Sequence, residues 1–449
     1  MPEDTLHVYL HDKHIGDLTQ DRTRSRFKFL DEISHSRKAS PLLSTALLVQ
    51  DEPFNAAQTA NWFTGLLPEN DRLTELCRFY GVSQDNYFDV LREVGWECAG
   101  AVSILPEGFT PASLRTNEEN LIITEEALAA RLAALPSHPY DTERSLRVSL
   151  GGFQEKMCIR TSSPLDLTQG YARAIRAEIP LDGALSTHIL KPQPGRFPGM
   201  IEGEAWAMAA ASLATPTAAT ALLEIEGAPL TLIIERFDRR KRDGFLSRTQ
   251  QEDFAQLSSR ILKVDCAQPL VRIHQEDCAQ AMGLRPADKY AASSSPRRND
   301  PSFQRIASLL SAYSSSPLEQ LEQLLGQMTV NVALGNTDAH AKNYAFLHPD
   351  EDTIALAPLY DVVPAAEITP QVVAMGMRID GRIRLDRIEH EQLLHEAHAW
   401  GLPLKRAATV VSETTERLIA GIDRASELYP EAGKRHHEAA LKRLGGIRR

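Results

Sequence analysis

The stretch GNTDAHAKNYAFL (335–347) constrains this chain more than any other. An apolar helix pattern runs up to it and a strand pattern leaves it. Between them Asp338, His340, Lys342 and Asn343 crowd into one loop, with Asp338 and Asn343 five positions apart. A loop that carries chemistry has to be held by the rigid elements that flank it. The fold must therefore bring a helix end and a strand start together and leave these polar groups facing a common space. The preceding segment, SPLEQLEQLLGQMTVNVALG, has a helix start signal: Ser316 at the N-cap, Pro317 at the first helical position and Glu319 at the third. Its apolar residues Leu318, Leu321, Leu324, Leu325, Met328 and Val332 recur at helical spacing.

Upstream the pattern is β-rich. LHVYLHDKHIGDL predicts two strands around a polar turn, RFKFL a third and GAVSILPEG a fourth. Residues 71–81 predict an amphipathic helix ended by Gly81, and residues 84–95 a second. From 145, SLRVSLGGFQEKMCIR predicts strand, Gly turn and strand; HILKPQP predicts a strand stopped by prolines. IEGEAWAMAAASLA is rich in helix formers, and APLTLIIERFDRR has a β-prone centre at Leu232–Ile234. Helices dominate after about 250. AASSSPRRNDPSF (291–303) is expected to be a mobile surface loop. QEDFAQ (251–256) and QEDCAQ (275–280) form a near-repeat, but two copies do not make a solenoid. The expected fold class is α+β: an N-terminal subdomain (1–110), a β-rich lobe (111–245) and an all-helical C-terminal lobe (246–449), with a cleft between the lobes.

Composition narrows the function classes. Of 449 residues 43% are hydrophobic and 24% charged, an ordinary globular balance. The net charge of −11 argues against whole-surface affinity for nucleic acid. Five cysteines, an odd number without a CxxC, argue against a disulfide framework or a cysteine zinc site and fit a reducing cytosol. The N-terminal stretch lacks an apolar core of signal-peptide length, and no apolar run of about 18 residues occurs, so a cytoplasmic protein without a membrane span is expected.

Phosphoryl transfer needs few protein parts: a Gly-bearing loop at the phosphates, a Lys to neutralise them, an Asp to accept the proton of the attacking hydroxyl, and an Asn and a second Asp to hold Mg²⁺. In protein kinases the catalytic Asp and the metal-binding Asn are five residues apart, as are Asp338 and Asn343. NYAFL, the acidic turn HPDED and TIALAPL predict a hairpin that returns Asp361 to Asn343, forming a site of hard oxygen ligands. Kinases use the Asp of Asp-Phe-Gly here. This chain has Tyr-Asp-Val, so only the role of the Asp carries over. Gly151, Gly152 and Lys156 sit in the first hairpin turn, Lys191 ends the HILK strand, and Glu204 on the next helix is its candidate ion-pair partner. The backbone of Glu235–Phe237 is a candidate adenine contact. Each feature alone has an ordinary explanation: a turn, a solvated lysine, a chance Asp–Asn spacing, a satisfied structural histidine at His340. Their order along the chain is what carries weight.

VSLGGFQEK, THILKP, IERFDRR, TDAHAKN and PLYD, in this order, together with LPEN and REVGWECAGAV nearer the N-terminus, resemble the HipA toxins of bacterial type II toxin–antitoxin systems, which are serine/threonine protein kinases. The resemblance covers nearly the full chain and implies a two-lobed, protein-kinase-like fold. It implies that Asp338 is the catalytic base and that Asn343 and Asp361 are the Mg²⁺ ligands. It further implies that ATP is held by Gly151, Gly152, Phe153, Gln154, Glu155 and Lys156, by Lys191, by Glu235, Arg236 and Phe237, and by His340, Ala341, Lys342, Asn343, Tyr360 and Asp361. Ser149 matches the serine that family members autophosphorylate. A phosphate there adds about −1.5 to −2 charges in a loop built for ATP phosphates, so it would act as an off-switch. Implied partners are a helix-turn-helix antitoxin of HipB type, DNA only through that antitoxin, and a protein substrate such as an aminoacyl-tRNA synthetase. The segment before the second QED is longer than usual for the family, and AASSSPRRNDP replaces a Glu-Gly-Gly-Pro-like stretch after Lys289–Tyr290.

Two other function classes fit parts of the pattern. One is a catalytically silent kinase-shaped protein that binds a DNA-binding antitoxin as co-repressor; the intact set Lys191, Asp338, Asn343 and Asp361 speaks against it. The other is a metal-dependent phosphohydrolase using Asp338, His340 and Asp361, against which the Gly loop and Lys191 speak. The basic stretch KRHHEAALKRLGGIRR reads first as a solvated amphipathic helix and only second as a DNA contact.

Overall fold

The computed structural model describes residues 4–22, 24–115, 120–135, 155–161, 165–172, 175–181, 184–241, 270–292 and 295–448. Ser149, Gly151, Gly152, Phe153 and Gln154 of the expected phosphate loop, and the first QED copy, lie outside these residues.

Near the N-terminus, β1 (Asp4–Leu10), β2 (Lys13–Asp21), β3 (Arg24–Phe29) and β4 (Val102–Pro106) form an antiparallel sheet in the order β3-β2-β1-β4. Alternation sends Leu6, Val8, Leu18, Phe27 and Phe29 to one face, where they pack with Phe54, Trp62 and Phe63. Helix α1 (Ala56–Thr64) starts with an Asn55–Gln58 capping box, and α2 (Asp71–Tyr80) stops at Gly81, whose φ of +72° suits glycine. Helix α3 (Tyr87–Val94) completes this unit.

The second sheet contains, among the described residues, β5 (Asn120–Ile122), β6 (Met157–Thr161), β7 (Tyr171–Ala172), β8 (Ala177–Pro180), β9 (His188–Pro192), β10 (Thr220–Leu223) and β11 (Thr231–Glu235), in the order β5-β8-β6-β9-β11-β10-β7. Leu190 and Ile233 point into one apolar cluster with Leu128, Leu132 and Ile179. The other face carries Ile189, Lys191 and Ile234 and looks into a cleft. Helix α4 (Met200–Ala211) packs on β10 and β11. It is buried on nearly every side, which is why its sequence lacks an amphipathic stripe.

A short strand pair, β12 (Arg239–Lys241) and β13 (Leu270–Arg272), leads to β14 (His274–Asp277). The expected all-helical C-terminal lobe is thus corrected: strands at His274–Asp277, Ala345–His348 and Ala355–Leu356 form a three-stranded sheet there, because the chain leaving and re-entering the polar loop pairs its backbone with a neighbour rather than continuing as helix. Helices α5 (Phe303–Tyr313), α6 (Pro317–Ala333), α7 (His390–Ala399), α8 (Leu404–Leu428) and α9 (Pro430–Ile447) share one large core. Ser316 takes the N-cap position of α6, but its hydroxyl makes no capping hydrogen bond. Its ψ of 66° turns the side chain from the extended geometry that aims a cap at the third N–H. The stretch expected to be a mobile loop after Ala291 is pinned in part: Asp300 accepts from the N–H groups of Ala292 and Arg297, and Ser302 caps α5. The basic C-terminal stretch is α9, with His436, Ala440, Leu444 and Ile447 buried and Arg443 bonded to the Ala333 carbonyl and to Glu367. Among the described residues no helix is long and apolar enough to cross a membrane.

Two buried polar clusters join the N-terminal unit to the rest. Glu97 receives Ser186, Arg236 and Arg239, while Asp238 accepts from Arg236 and from the Gly100 N–H. Glu276, in the QEDCAQ copy, accepts from the Ser44 hydroxyl, the Thr45 N–H and the Trp62 indole. Each carboxylate is fully buried and hydrogen-bonded from several sides, as burial of charge requires.

Candidate functional site

The loop after α6 folds on itself. Gly335 takes φ +72°, which lets the chain leave the helix against Arg443 and Ala366. Asn336 donates to the Asn331 side chain at 2.8 Å and to the Asp361 carbonyl at 3.3 Å. The Asn343 N–H donates to the His340 carbonyl, and its side-chain amide donates to the Asp338 carbonyl at 3.1 Å. The five-residue spacing thus closes a tight loop in which the amide nitrogen is used internally and the amide oxygen stays available as a ligand.

β15 (Ala345–His348) pairs with β14 on one side and β16 (Ala355–Leu356) on the other. This hairpin carries the chain back to Asp361, which adopts φ +60°. For a residue other than glycine that conformation costs on the order of 1 kcal/mol and persists only where the surroundings impose it. The Asp361 carboxylate meets Lys191 Nζ at 2.5 Å, and Lys191 also reaches Glu204 at 2.7 Å. Alternation along β9 explains the arrangement: Leu190 fills the core, so Lys191 turns to α4, where Glu204 is fully buried. Burial drives the Glu204 carboxyl upward against the pull of Lys191, whereas the coulombic attraction and hydrogen bond of Lys191 outweigh burial and hold Asp361 below the carboxylate range. Half-buried Lys156 is lowered to about 7 by burial and by the charges of Lys191 and Arg72.

Asp338 is reached from a direction the sequence did not signal. The Tyr290 hydroxyl donates to its carboxylate at 2.6 Å, and the Tyr290 ring stands edge-on to His340 at 4.8 Å. Burial raises the Asp338 carboxyl and outweighs the opposing effect of that hydrogen bond. His340 is lowered to about 3, first by burial and then by Lys289. Glu69 of the N-terminal unit pairs with Lys289 at 2.7 Å and lies 3.9 Å from Lys342. Lys342 itself is anchored by Asp277 at 2.6 Å and by the Gly65 carbonyl, and Tyr360 donates to the Lys342 carbonyl at 2.7 Å.

Most of these groups border one cleft of about 1090 Å³. Lys156, Lys191, Glu235, Arg236, Phe237, Asp338, His340, Lys342, Asn343, Tyr360 and Asp361 line it. Glu155 and Ala341 do not, Ala341 being fully buried. Arg236 turns its guanidinium away into the Glu97–Asp238 cluster, and the N–H groups of Glu235 and Arg236 already bond the carbonyls of Ala219 and Thr187. Tyr290, Lys289, Glu69 and Asp277 also border the cleft without having been singled out from sequence. They come from segments distant in the chain, and the only hints were Lys289–Tyr290, Glu69 within LPEN and Asp277 within the QEDCAQ copy.

Among the described residues, buried polar atoms without partners face this region: Thr337 Oγ1, His340 Nδ1 and one oxygen of Glu204. Asp361 and Asn343 offer the hard oxygens that Mg²⁺ prefers, Lys156 and Lys191 offer cations for phosphates, and Ile189, Met208, Ala218 and Ile234 make an apolar wall for a base. The residues present therefore fit a magnesium nucleotide.

Residues 148–422 match the HipA-like C-terminal domain, and residues 6–105 match the HipA N-terminal domain. A putative kinase of Sinorhizobium fredii, Y4mE, is 31% identical over 97% of this chain and 96% of its own. The serine/threonine-protein kinase toxin HipA of Shewanella oneidensis is 26% identical over 95% of this chain and 90% of its own. Among solved structures, a chain from the Shewanella oneidensis complex of HipA, HipB and operator DNA superposes with a TM-score of 0.76, at 23% identity, covering 98% of this chain and 97% of that one.

Proposed function

The chain belongs to the HipA family, and on that premise we propose that it is an ATP- and Mg²⁺-dependent protein serine/threonine kinase and the toxin of a toxin–antitoxin pair. The observation that carries the proposal is the Lys191–Glu204–Asp361 ion triad beside the Asp338–Asn343 loop in one cleft. Magnesium-bound ATP, when present, supplies the phosphoryl group and neutralises its charge. Asn343 and Asp361 hold the metal. Lys191, oriented by Glu204, steadies the phosphates, and Lys156 adds positive charge at the loop end. Asp338 orients the acceptor hydroxyl and takes its proton. The Tyr290 contact supports that role, because a hydroxyl donor already sits at hydrogen-bond distance from this carboxylate. A base buried enough to be raised toward neutral pH transfers protons more effectively than a fully solvated one.

The remaining parts of the proposal rest on the family. The acceptor is a translation protein such as an aminoacyl-tRNA synthetase, the restraining partner is a HipB-like helix-turn-helix antitoxin through which DNA is approached, and the protein works in the cytoplasm. Ser149 is proposed as an autophosphorylation off-switch.

Incubation with γ-labelled ATP and Mg²⁺ should label Ser149, and Asp338→Ala should abolish the label. Equal labelling of that variant would remove Asp338 from the mechanism. Induced expression should arrest growth, with relief by Asp338→Ala or by the antitoxin. Phosphoproteomics of a treated cell extract should reveal a new phosphoserine or phosphothreonine on a translation protein. A catalytically silent co-repressor would leave every one of these signals at background.

A further inference from the structure

On the face of the N-terminal sheet turned away from its core, three ligand-bearing side chains converge. His7 Nδ1 lies 2.7 Å from Asp17 Oδ1, and His14 Nε2 lies 2.8 Å from the same oxygen. The two imidazoles stand edge-on at 4.6 Å, and one ligand atom from each of the three residues lies within 4.8 Å of the others. We propose that His7, His14 and Asp17 form a binding site for a divalent first-row transition cation, with Zn²⁺ the best chemical match, independent of the nucleotide cleft.

The register shows that this meeting is built into the strands. His7 on β1 stands directly opposite Asp17 on β2, so those two share a face. His14 lies three positions before Asp17, and in a regular strand such residues face opposite sides. The pairing jumps, however, from Val8–Gly16 to Tyr9–His14, which leaves Ile15 as an extra residue. Ile15 is buried in the core, and Gly16 follows it on the core side. The bulge therefore reverses the phase and brings His14 onto the face of His7 and Asp17, as bulges do when they re-aim a side chain. Gly16 permits this because a Cβ there would lie 2.5 Å from the Lys28 carbonyl oxygen and 2.6 Å from the Phe27 ring.

The surroundings leave the carboxylate to the histidines. Lys28 stands opposite Asp17 on β3, yet its ammonium is drawn to Asp31 at 2.9 Å. His14 Nε2 also approaches the Gly16 carbonyl at 3.1 Å. Side-chain exposures of 24%, 29% and 32% for His7, His14 and Asp17 leave a path for an ion and room for a water as fourth ligand. Bonds of about 2.0–2.2 Å around a tetrahedral ion need ligand atoms about 3.3 Å apart, so side-chain rotations of less than about 1 Å convert the hydrogen-bonded cluster into a coordinated one. Two imidazoles and one carboxylate suit Zn²⁺, Ni²⁺ or Cu²⁺ rather than Mg²⁺ or Ca²⁺, which take oxygen ligands.

The test uses the full chain, free of any histidine tag and dialysed against chelator, titrated with Zn²⁺ by calorimetry and with Co²⁺ by visible spectroscopy. The wild type should bind one equivalent that His7→Ala/His14→Ala lacks, with Co²⁺ bands of nitrogen and oxygen ligation. His14→Gln, a milder change, should weaken that equivalent by at least the roughly 10–100-fold seen when even an outer-shell partner is lost. Circular dichroism identical to wild type confirms that each variant is folded. Asp361→Asn should leave the equivalent unchanged, which separates it from the metal site of the cleft. Matching isotherms for wild type and the double variant, or thiolate charge-transfer bands with Co²⁺, would overturn the proposal. A cluster that is only hydrogen-bonded would show the first of these outcomes.

Discussion

Replacing Lys191 by Met tests the ion triad at its centre. Lys191 Nζ lies 2.7 Å from Glu204 and 2.5 Å from Asp361, and the Glu204 side chain is 1% exposed. Taking away the cation strands a buried carboxylate, and breaking a buried pair in this way typically costs about 3–5 kcal/mol. The loss should depend on pH in a defined direction. Without Lys191 the folded-state pKa of Glu204, already raised by burial, moves further above its unfolded value. The folded variant then holds a proton that the unfolded chain releases, so its stability falls as pH rises above the unfolded carboxylate range. The difference from wild type should approach about 3–5 kcal/mol at pH 8 and shrink by at least about 1 kcal/mol at pH 5. Urea titration followed by tryptophan fluorescence reads this out, since Trp206 is fully buried two positions beyond Glu204. Lys191→Met/Glu204→Leu should regain most of the stability while remaining inactive, because an apolar side chain fills the site without a stranded charge. Wild-type unfolding of the single variant at both pH values, or no recovery in the double variant, would refute the account of the triad.

Other expectations concern the cleft and the packing around it. Tyr290→Phe removes a hydrogen bond that favours ionised Asp338, so the carboxyl should titrate higher and the acid limb of the phosphotransfer profile should move to higher pH; a pH–rate series checks the sign. Arg236→Met breaks a bidentate contact to Asp238 and contacts to Glu97 and Ser186, with a loss of about 3–5 kcal/mol. Hydrogen exchange should then show earlier opening where residues 97–103 meet residues 236–239. Gly421→Ala drives a methyl group into the Ala210 carbonyl where α8 crosses α4, and should lower the thermal midpoint through at least about 1–3 kcal/mol of overpacking.

Much of the local structure follows from patterns within a few residues. The first hairpin, the Gly81 helix stop and the α6 helix all appear where alternation, glycine and helical periodicity place them. Ser316 marks the start of α6, but its missing cap bond depends on backbone angles that its identity does not dictate. The Asp338–Asn343 spacing points to a folded loop, and the HPDED turn points to the hairpin that returns Asp361. The buried partner of Lys191 is the one acid that α4 buries, Glu204.

What local pattern does not encode is which distant groups come to share the cleft. Tyr290 reaches Asp338 across 48 residues and Lys342 reaches the Gly65 carbonyl across 277, and no periodicity spans such separations. The bulge at Ile15 is equally silent in sequence, because a shift of register appears only when two strands are paired. The amino-acid order by itself therefore determined these elements and the set of charged groups available for chemistry. Tertiary packing decided which of those groups lost their water and met one another, since desolvation and charge pairing depend on three-dimensional neighbours.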